Sequence, residues 1–134
     1  MSIVKRIRAV AKGIAVSTVA MTLSFWAHAT TLEKMSFSSM PGDITEVRLE
    51  FDSKPPQVSG YTIEKPARIA IDLPGVQSAL KTKRHEIGSG NAHSAMLVST
   101  KDRSRLVINL TKLVGYETKT SGNTLLVRIG QRGD

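Results

Sequence analysis

"PARIAIDLPG", residues 66–75, carries the period that decides the fold: Ala67, Ile69, Ile71 and Leu73 fall on one face of a two-residue repeat and Arg68, Ala70 and Asp72 on the other. A strand with one apolar and one wetter face reads this way. The segment is too short for a helix and too polar for a membrane span. Proline cannot donate to a sheet ladder, so Pro66 and Pro74 limit pairing at the two ends, and Pro74-Gly75 supplies the turn that stops the strand.

The same alternation extends in both directions. A first strand is expected near Leu32 to Ser38, followed by a turn at "MPGD". "EVRLEF", residues 46–51, places Val47, Leu49 and Phe51 inward and Glu46, Arg48 and Glu50 outward, and Pro55-Pro56 breaks the run before "VSGYTI". From Val76 to Asn91 the alternation is lost, so this span reads as a long surface connection with one short helical or 3₁₀ turn around Ala79 to Lys81. Strands resume with "AMLVST", then with "RLVINL", whose Leu106, Ile108 and Leu110 share a face. "GYETKT", a tight "SGN" turn and "LLVRI" follow, the last presenting Leu125, Val127 and Ile129. About eight short strands with turns at this spacing predict an all-β sandwich of two packed sheets.

The order also repeats. "VRLEF", "YTI" and "RIAIDL" match "RLVINL", "YETK" and "LLVRI", with Tyr61 and Tyr116 in corresponding places, which predicts a duplicated three-strand unit. Two such units, each with one apolar face too small to stand alone, would form the core by packing face to face.

The first 29 residues have the three-part anatomy of a secretory leader. They open with basic residues (Lys5, Arg6, Arg8, Lys12), continue with an apolar run from Gly13 to Trp26, and end in Ala27-His28-Ala29, an A-x-A cleavage site. The run is shorter than the roughly twenty residues that a spanning helix needs. Residues 30–134 are then expected to form one small domain, and a Cys-free exported chain points to the bacterial periplasm. Four of the 19 Lys and Arg and none of the 11 Asp and Glu lie in the leader, which leaves a formal charge of +4. That is modest for a nucleic-acid binder, so DNA ranks low as a partner. The absence of Cys agrees with export without a disulfide framework.

Chemistry is sparse. His85 and His93 lie eight residues apart with Glu86 and Asp102 as the nearest carboxylates, too few ligands at too loose a spacing for zinc, and no other cofactor is expected. "GSGN", residues 88–91, lacks the Lys-Ser/Thr of a phosphate loop, and Ser89 lacks a nucleophile elbow. The terminal "RGD" is too short to carry meaning. No catalytic set emerges, so no enzyme is expected. What remains is cationic: Arg68, Arg103, Arg105 and Arg128 on strands, and Lys81, Lys83 and Arg84 in the long connection. Such side chains commonly keep sheet surfaces soluble. An Arg fork also suits carboxylates, including those of acidic peptides and wall stem peptides.

Together, "YTIEKPARIAIDLPGV", "IGSGNAHSAMLVSTKDRSRLVINL" and "YETKTSGNTLLVRIG" resemble the AMIN domain found near the N-terminus of type IV pilus secretins of the PilQ family. The resemblance covers about residues 31–130. Pro66, Ala67, Arg68, Asp72, Leu73, Pro74 and Gly75 match its signature, as do Gly88, Gly90 and Asn91, then Arg103, Arg105, Leu106, Val107, Asn109 and Leu110. It implies a small periplasmic β-sandwich without enzymatic activity that binds peptidoglycan and fastens pilus machinery, or in a related setting a cell-wall amidase, to the wall. A secretin continues into further domains and an outer-membrane barrel, which leaves two readings of this chain, a secretin fragment or a stand-alone wall-binding protein. Implied partners are peptidoglycan, other type IV pilus assembly proteins and the remainder of a secretin. Candidate wall-binding residues are Arg68, Arg103, Arg105, Lys83 and Arg84. Asp72, Pro74, Gly75 and Asn109 are expected to be structural, with Asp72 accepting hydrogen bonds either from the Pro74-Gly75 turn or from an arginine.

Overall fold

The structure, a computed structural model, describes residues 29–130. Residues 1–28 of the 29-residue leader reading and the terminal "RGD" lie outside the described residues. Those described form ten strands and no helix: β1 (Thr30–Met40), β2 (Ile44–Phe51), β3 (Ser59–Ile63), β4 (Arg68–Pro74), β5 (Val76–Ser78), β6 (Arg84–Ser89), β7 (Ala92–Ser99), β8 (Arg103–Leu110), β9 (Tyr116–Ser121) and β10 (Thr124–Ile129). They make two five-stranded sheets, ordered β5-β1-β2-β10-β9 and β3-β4-β8-β7-β6. The expected sandwich is the observed fold.

The repeat is present and larger than three strands. The β1-β2 hairpin lies in the first sheet and the β3-β4 hairpin in the second, whereas β7-β8 lies in the second and β9-β10 in the first. Each four-strand unit therefore gives one hairpin to each sheet, and the sheets close where the units meet, β2 against β10 and β4 against β8. Val47 pairs with Val127 in one seam and Leu106 with Ile71 in the other. The tyrosines do not correspond, contrary to the sequence alignment. Tyr61 faces Ala70 on the outer side of β3-β4, while Tyr116 faces Ile129 and packs against the core. The Tyr116 hydroxyl lies where a side chain on Gly60 would point, so one tyrosine links the edge of the first sheet to the edge of the second.

The core is made by the residues that the alternation selected. Val47, Leu49, Phe51, Leu125, Val127 and Ile129 line one sheet, and Ile69, Ile71, Leu73, Leu106, Ile108 and Leu110 line the other, all buried. Removing this apolar surface from water is the main force that holds the sheets together.

Two strands replace the long connection expected over 76–91. Val76–Ser78 pairs parallel to β1 as β5, with the Ala79 N–H donating to the Leu32 carbonyl at 2.9 Å, and Arg84–Ser89 pairs with β7 as β6. No helical turn occurs at Ala79 to Lys81. Both additions are edge strands, and edge strands carry weak apolar alternation because one side of their inward face meets solvent. "GSGN" closes the β6-β7 hairpin. The Ser89 carbonyl accepts from Thr45 Oγ1 at 2.8 Å, and Gly90, at φ +56°, lies against the Asp43 carbonyl, so this turn fastens the second sheet to the β1-β2 turn.

Candidate functional site

The opposite end of the sandwich shows what the opening segment does. Gly75, at φ +72°, turns the chain so that its N–H donates to the Asp102 carbonyl at 2.9 Å. The Val76 carbonyl accepts from the buried Ser104 hydroxyl at 2.7 Å. Gln77 Nε2 donates to the Thr100 and Lys101 carbonyls at 2.9 and 3.2 Å. "DLPG" and the two residues after it therefore brace the β7-β8 turn, from which Arg103 and Arg105 emerge.

Asp72 lies opposite Arg105 in the β4-β8 ladder, and Arg105 Nε donates to its Oδ1 at 2.7 Å. The turn N–H goes elsewhere, so of the two partners expected for Asp72 the structure has the arginine. The hydrogen bond and charge of Asp72 hold the Arg105 guanidinium above its ordinary pKa, with a further push from Tyr61. The repeat places a second such pair in the other seam with the charges exchanged, Arg128 Nε on Glu46 Oε2 at 3.1 Å. Asp72→Ala is expected to cost about 1 kcal/mol, because the released guanidinium is 43% exposed and can return to water. A thermal melt indistinguishable from wild type would remove its structural role.

Arg103 and Arg105 are two apart on β8, so both project from the outer face, about 7 Å from each other along the strand. With Val98 and Thr100 they line a groove of ≈ 320 Å³. Arg68 shares this face but lies opposite Asn109, four residues and about 13 Å from Asp72 along β4. It is half-buried, and its Nε is buried without a hydrogen-bond partner among the described residues. Asn109 Nδ2 donates to Ser94 Oγ at 3.0 Å across β7-β8, a structural contact.

Lys83 and Arg84 are not brought into this group. Arg84 begins β6 at the far edge and pairs with Glu86 at 2.9 Å, while Lys83, just before it, lines a separate cavity with Ser78, Leu80, Thr82, Leu97 and Ser99. Two residues of the outer face were overlooked, Tyr61 (46% exposed) and Val98 (43% exposed). Val98 carried a signal in "AMLVST", which is apolar on both faces of a two-residue period although its strand is covered on one side only. The histidines stand apart from one another: the His85 ring packs against Phe37 with centroids 6.1 Å apart, and His93 is exposed. Among the described residues, no three His, Cys, Asp or Glu are grouped to hold a metal ion.

Comparison with known proteins gives the chain a family. The chain is 51% identical over 102 residues to the fimbrial assembly protein PilQ of Pseudomonas aeruginosa, covering 76% of this chain and 14% of that protein. It is 27% identical over 122 residues to the type IV pilus biogenesis and competence proteins PilQ of Neisseria gonorrhoeae and Neisseria meningitidis, covering 91% of this chain and 16% of the gonococcal protein. The chain thus spans about a seventh of the length of these curated relatives. No solved structure matches. The AMIN domain family matches residues 34–129, from within β1 to the last residue of β10. That match takes in both seams, the braced turn and the arginine groove, and the chain belongs to the AMIN domain family.

Proposed function

We propose that this domain is a non-catalytic peptidoglycan-binding module that acts in the periplasm and holds a type IV pilus secretin complex to the cell wall. The match over residues 34–129 carries the reading, and the PilQ relatives connect it to pilus assembly. The outer face of the second sheet supports it. Arg68, Arg103 and Arg105 put three guanidinium groups on one side of a rigid sheet, where they meet carboxylates of the wall; Lys83 and Arg84, at the far edge and with Arg84 paired to Glu86, stand outside this group. Its partners in this role are peptidoglycan, other pilus assembly proteins and the rest of a secretin. The leader read in residues 1–29 accounts for export.

Co-sedimentation with purified sacculi tests this. At moderate salt, most of the chain is expected in the pellet, and a chain that stays in the supernatant excludes the reading. A cell-wall amidase could use the same module for targeting. The reading frame beyond Asp134 separates the two, since it would encode secretin repeats in one case and a zinc hydrolase domain in the other.

A further inference from the structure

We infer that the groove between Arg103 and Arg105 is a binding site for acidic peptide, and that on the wall it takes the carboxylate-bearing stem peptide and not the glycan strand. This rests on the wall-binding reading and assigns the chemistry of one site within it. Four observations carry it.

The first is unused donor capacity. Among the described residues, Arg103 makes no ion pair or side-chain hydrogen bond, and Arg105 commits its Nε to Asp72 while its terminal nitrogens make no bond. The second is geometry. Both side chains line one groove of ≈ 320 Å³ and leave the same strand about 7 Å apart, a spacing that suits two carboxylates of one short peptide. The third is preorganisation. Asp72 fixes Arg105 from below, and Gln77, Gly75 and the Thr100 N–H, which donates to the Arg103 carbonyl at 2.8 Å, hold the turn beneath Arg103. A ligand therefore meets guanidinium groups on an already ordered support, which lowers the entropy lost on binding.

The fourth is the apolar wall. Val98 is 43% exposed and stands opposite Arg105 in the β7-β8 ladder, next to Thr100. A small aliphatic surface beside two arginines fits a peptide whose methyl side chains alternate with acids. It does not fit a sugar polymer, which asks for aromatic platforms and neutral hydrogen-bonding groups. The Tyr61 ring belongs to the neighbouring row, opposite Ala70, and does not line this groove.

The test uses the full chain and two synthetic peptides, the tripeptide L-alanyl-γ-D-glutamyl-meso-diaminopimelate and the same peptide with its carboxylates amidated. NMR titration is expected to move the signals of Val98, Thr100, Arg103 and Arg105 with the acidic peptide. The amidated peptide should bind at least tenfold more weakly. Arg103→Gln removes an unpaired side chain, so it should keep the wild-type melting temperature and lose about tenfold in affinity for the acidic peptide. Arg105→Lys retains the charge without the planar fork and should lose affinity as well.

Co-sedimentation with sacculi that is unchanged in Arg103→Gln, with no response to the free peptide, overturns the groove and leaves wall binding standing. Failure to bind either sacculi or peptide overturns both. If duplex DNA shifts the same signals and competes with the peptide, the groove is a general polyanion site and the assignment falls. Peptide binding by wild type that Arg103→Gln does not weaken also overturns it.

Discussion

Ile71→Ala is expected to lower the stability of the domain by about 3 kcal/mol, within the range seen when a buried branched side chain is truncated and its surroundings relax only in part. Ile71 has no exposed surface and occupies the middle of β4, between β3 and β8. Its neighbours are poorly able to fill the space. On one side it faces Gly60, which has no side chain to move, and on the other Leu106, itself buried in the seam between the two units. The backbone cannot sag inward, because β4 is laddered on both sides and its far end is held by the Gly75 bond to Asp102. In a domain of this size the loss corresponds to a fall of roughly 12–20 °C in melting temperature. Urea unfolding is the direct measurement, with Val98→Ala, truncating an exposed valine, as the control expected to change stability by less than about 0.5 kcal/mol. A loss under about 1 kcal/mol for Ile71→Ala would mean that the seam repacks and that the two units are less tightly joined than their ladder implies.

The strands that fill the core were legible because burial on one face forces a two-residue period into the sequence. Val47, Leu49 and Phe51, or Leu106, Ile108 and Leu110, needed only that rule. β5 and β6 escaped it for a physical reason. β5 is three residues long, and the inward residues of β6 are His85, Ile87 and Ser89, each only half-buried, so a single aliphatic side chain marks the strand. The pairing of Asp72 with Arg105 was half legible. An acid on the wet face of a central strand needs a partner, but which arginine supplies it depends on the register between strands 33 residues apart. The swapped hairpins set that register, and no local signal carries it. The same holds for the groove, whose two arginines are two residues apart on one strand while Val98 arrives from the neighbouring strand and the bracing Gln77 from a segment read as loop. The mistaken equivalence of Tyr61 and Tyr116 has a similar origin. Residue type aligned them, whereas the ladder assigns them to opposite faces.

Gly130→Ala should be the most damaging glycine substitution outside the strands, at about 2–3 kcal/mol. Two costs add there. The residue has φ +98°, a conformation that an L side chain adopts only with a penalty of about 1–2 kcal/mol. A Cβ would also meet the Asp43 carbonyl oxygen at 2.8 Å. That oxygen has little room to withdraw. Asp43 is itself held at φ +60° in the β1-β2 turn, and Gly90 approaches the same oxygen from the second sheet, where a Cβ would come within 3.1 Å. Nor can Gly130 retreat freely, because its N–H donates to the Gly115 carbonyl at 2.8 Å. The Asp43 carbonyl is thus enclosed by two glycines 40 residues apart in the chain, which is how the last strand and the β6-β7 turn are fastened to one point. Gly75→Ala isolates the first cost. Its φ is +72° but a Cβ there meets nothing within 4 Å, so it should lose only about 1 kcal/mol. Gly90→Ala, with positive φ and a looser contact, should fall between the two. Equal losses for Gly75→Ala and Gly130→Ala in denaturant melts would show that the turn at Asp43 yields, and that the two sheets are not fastened there.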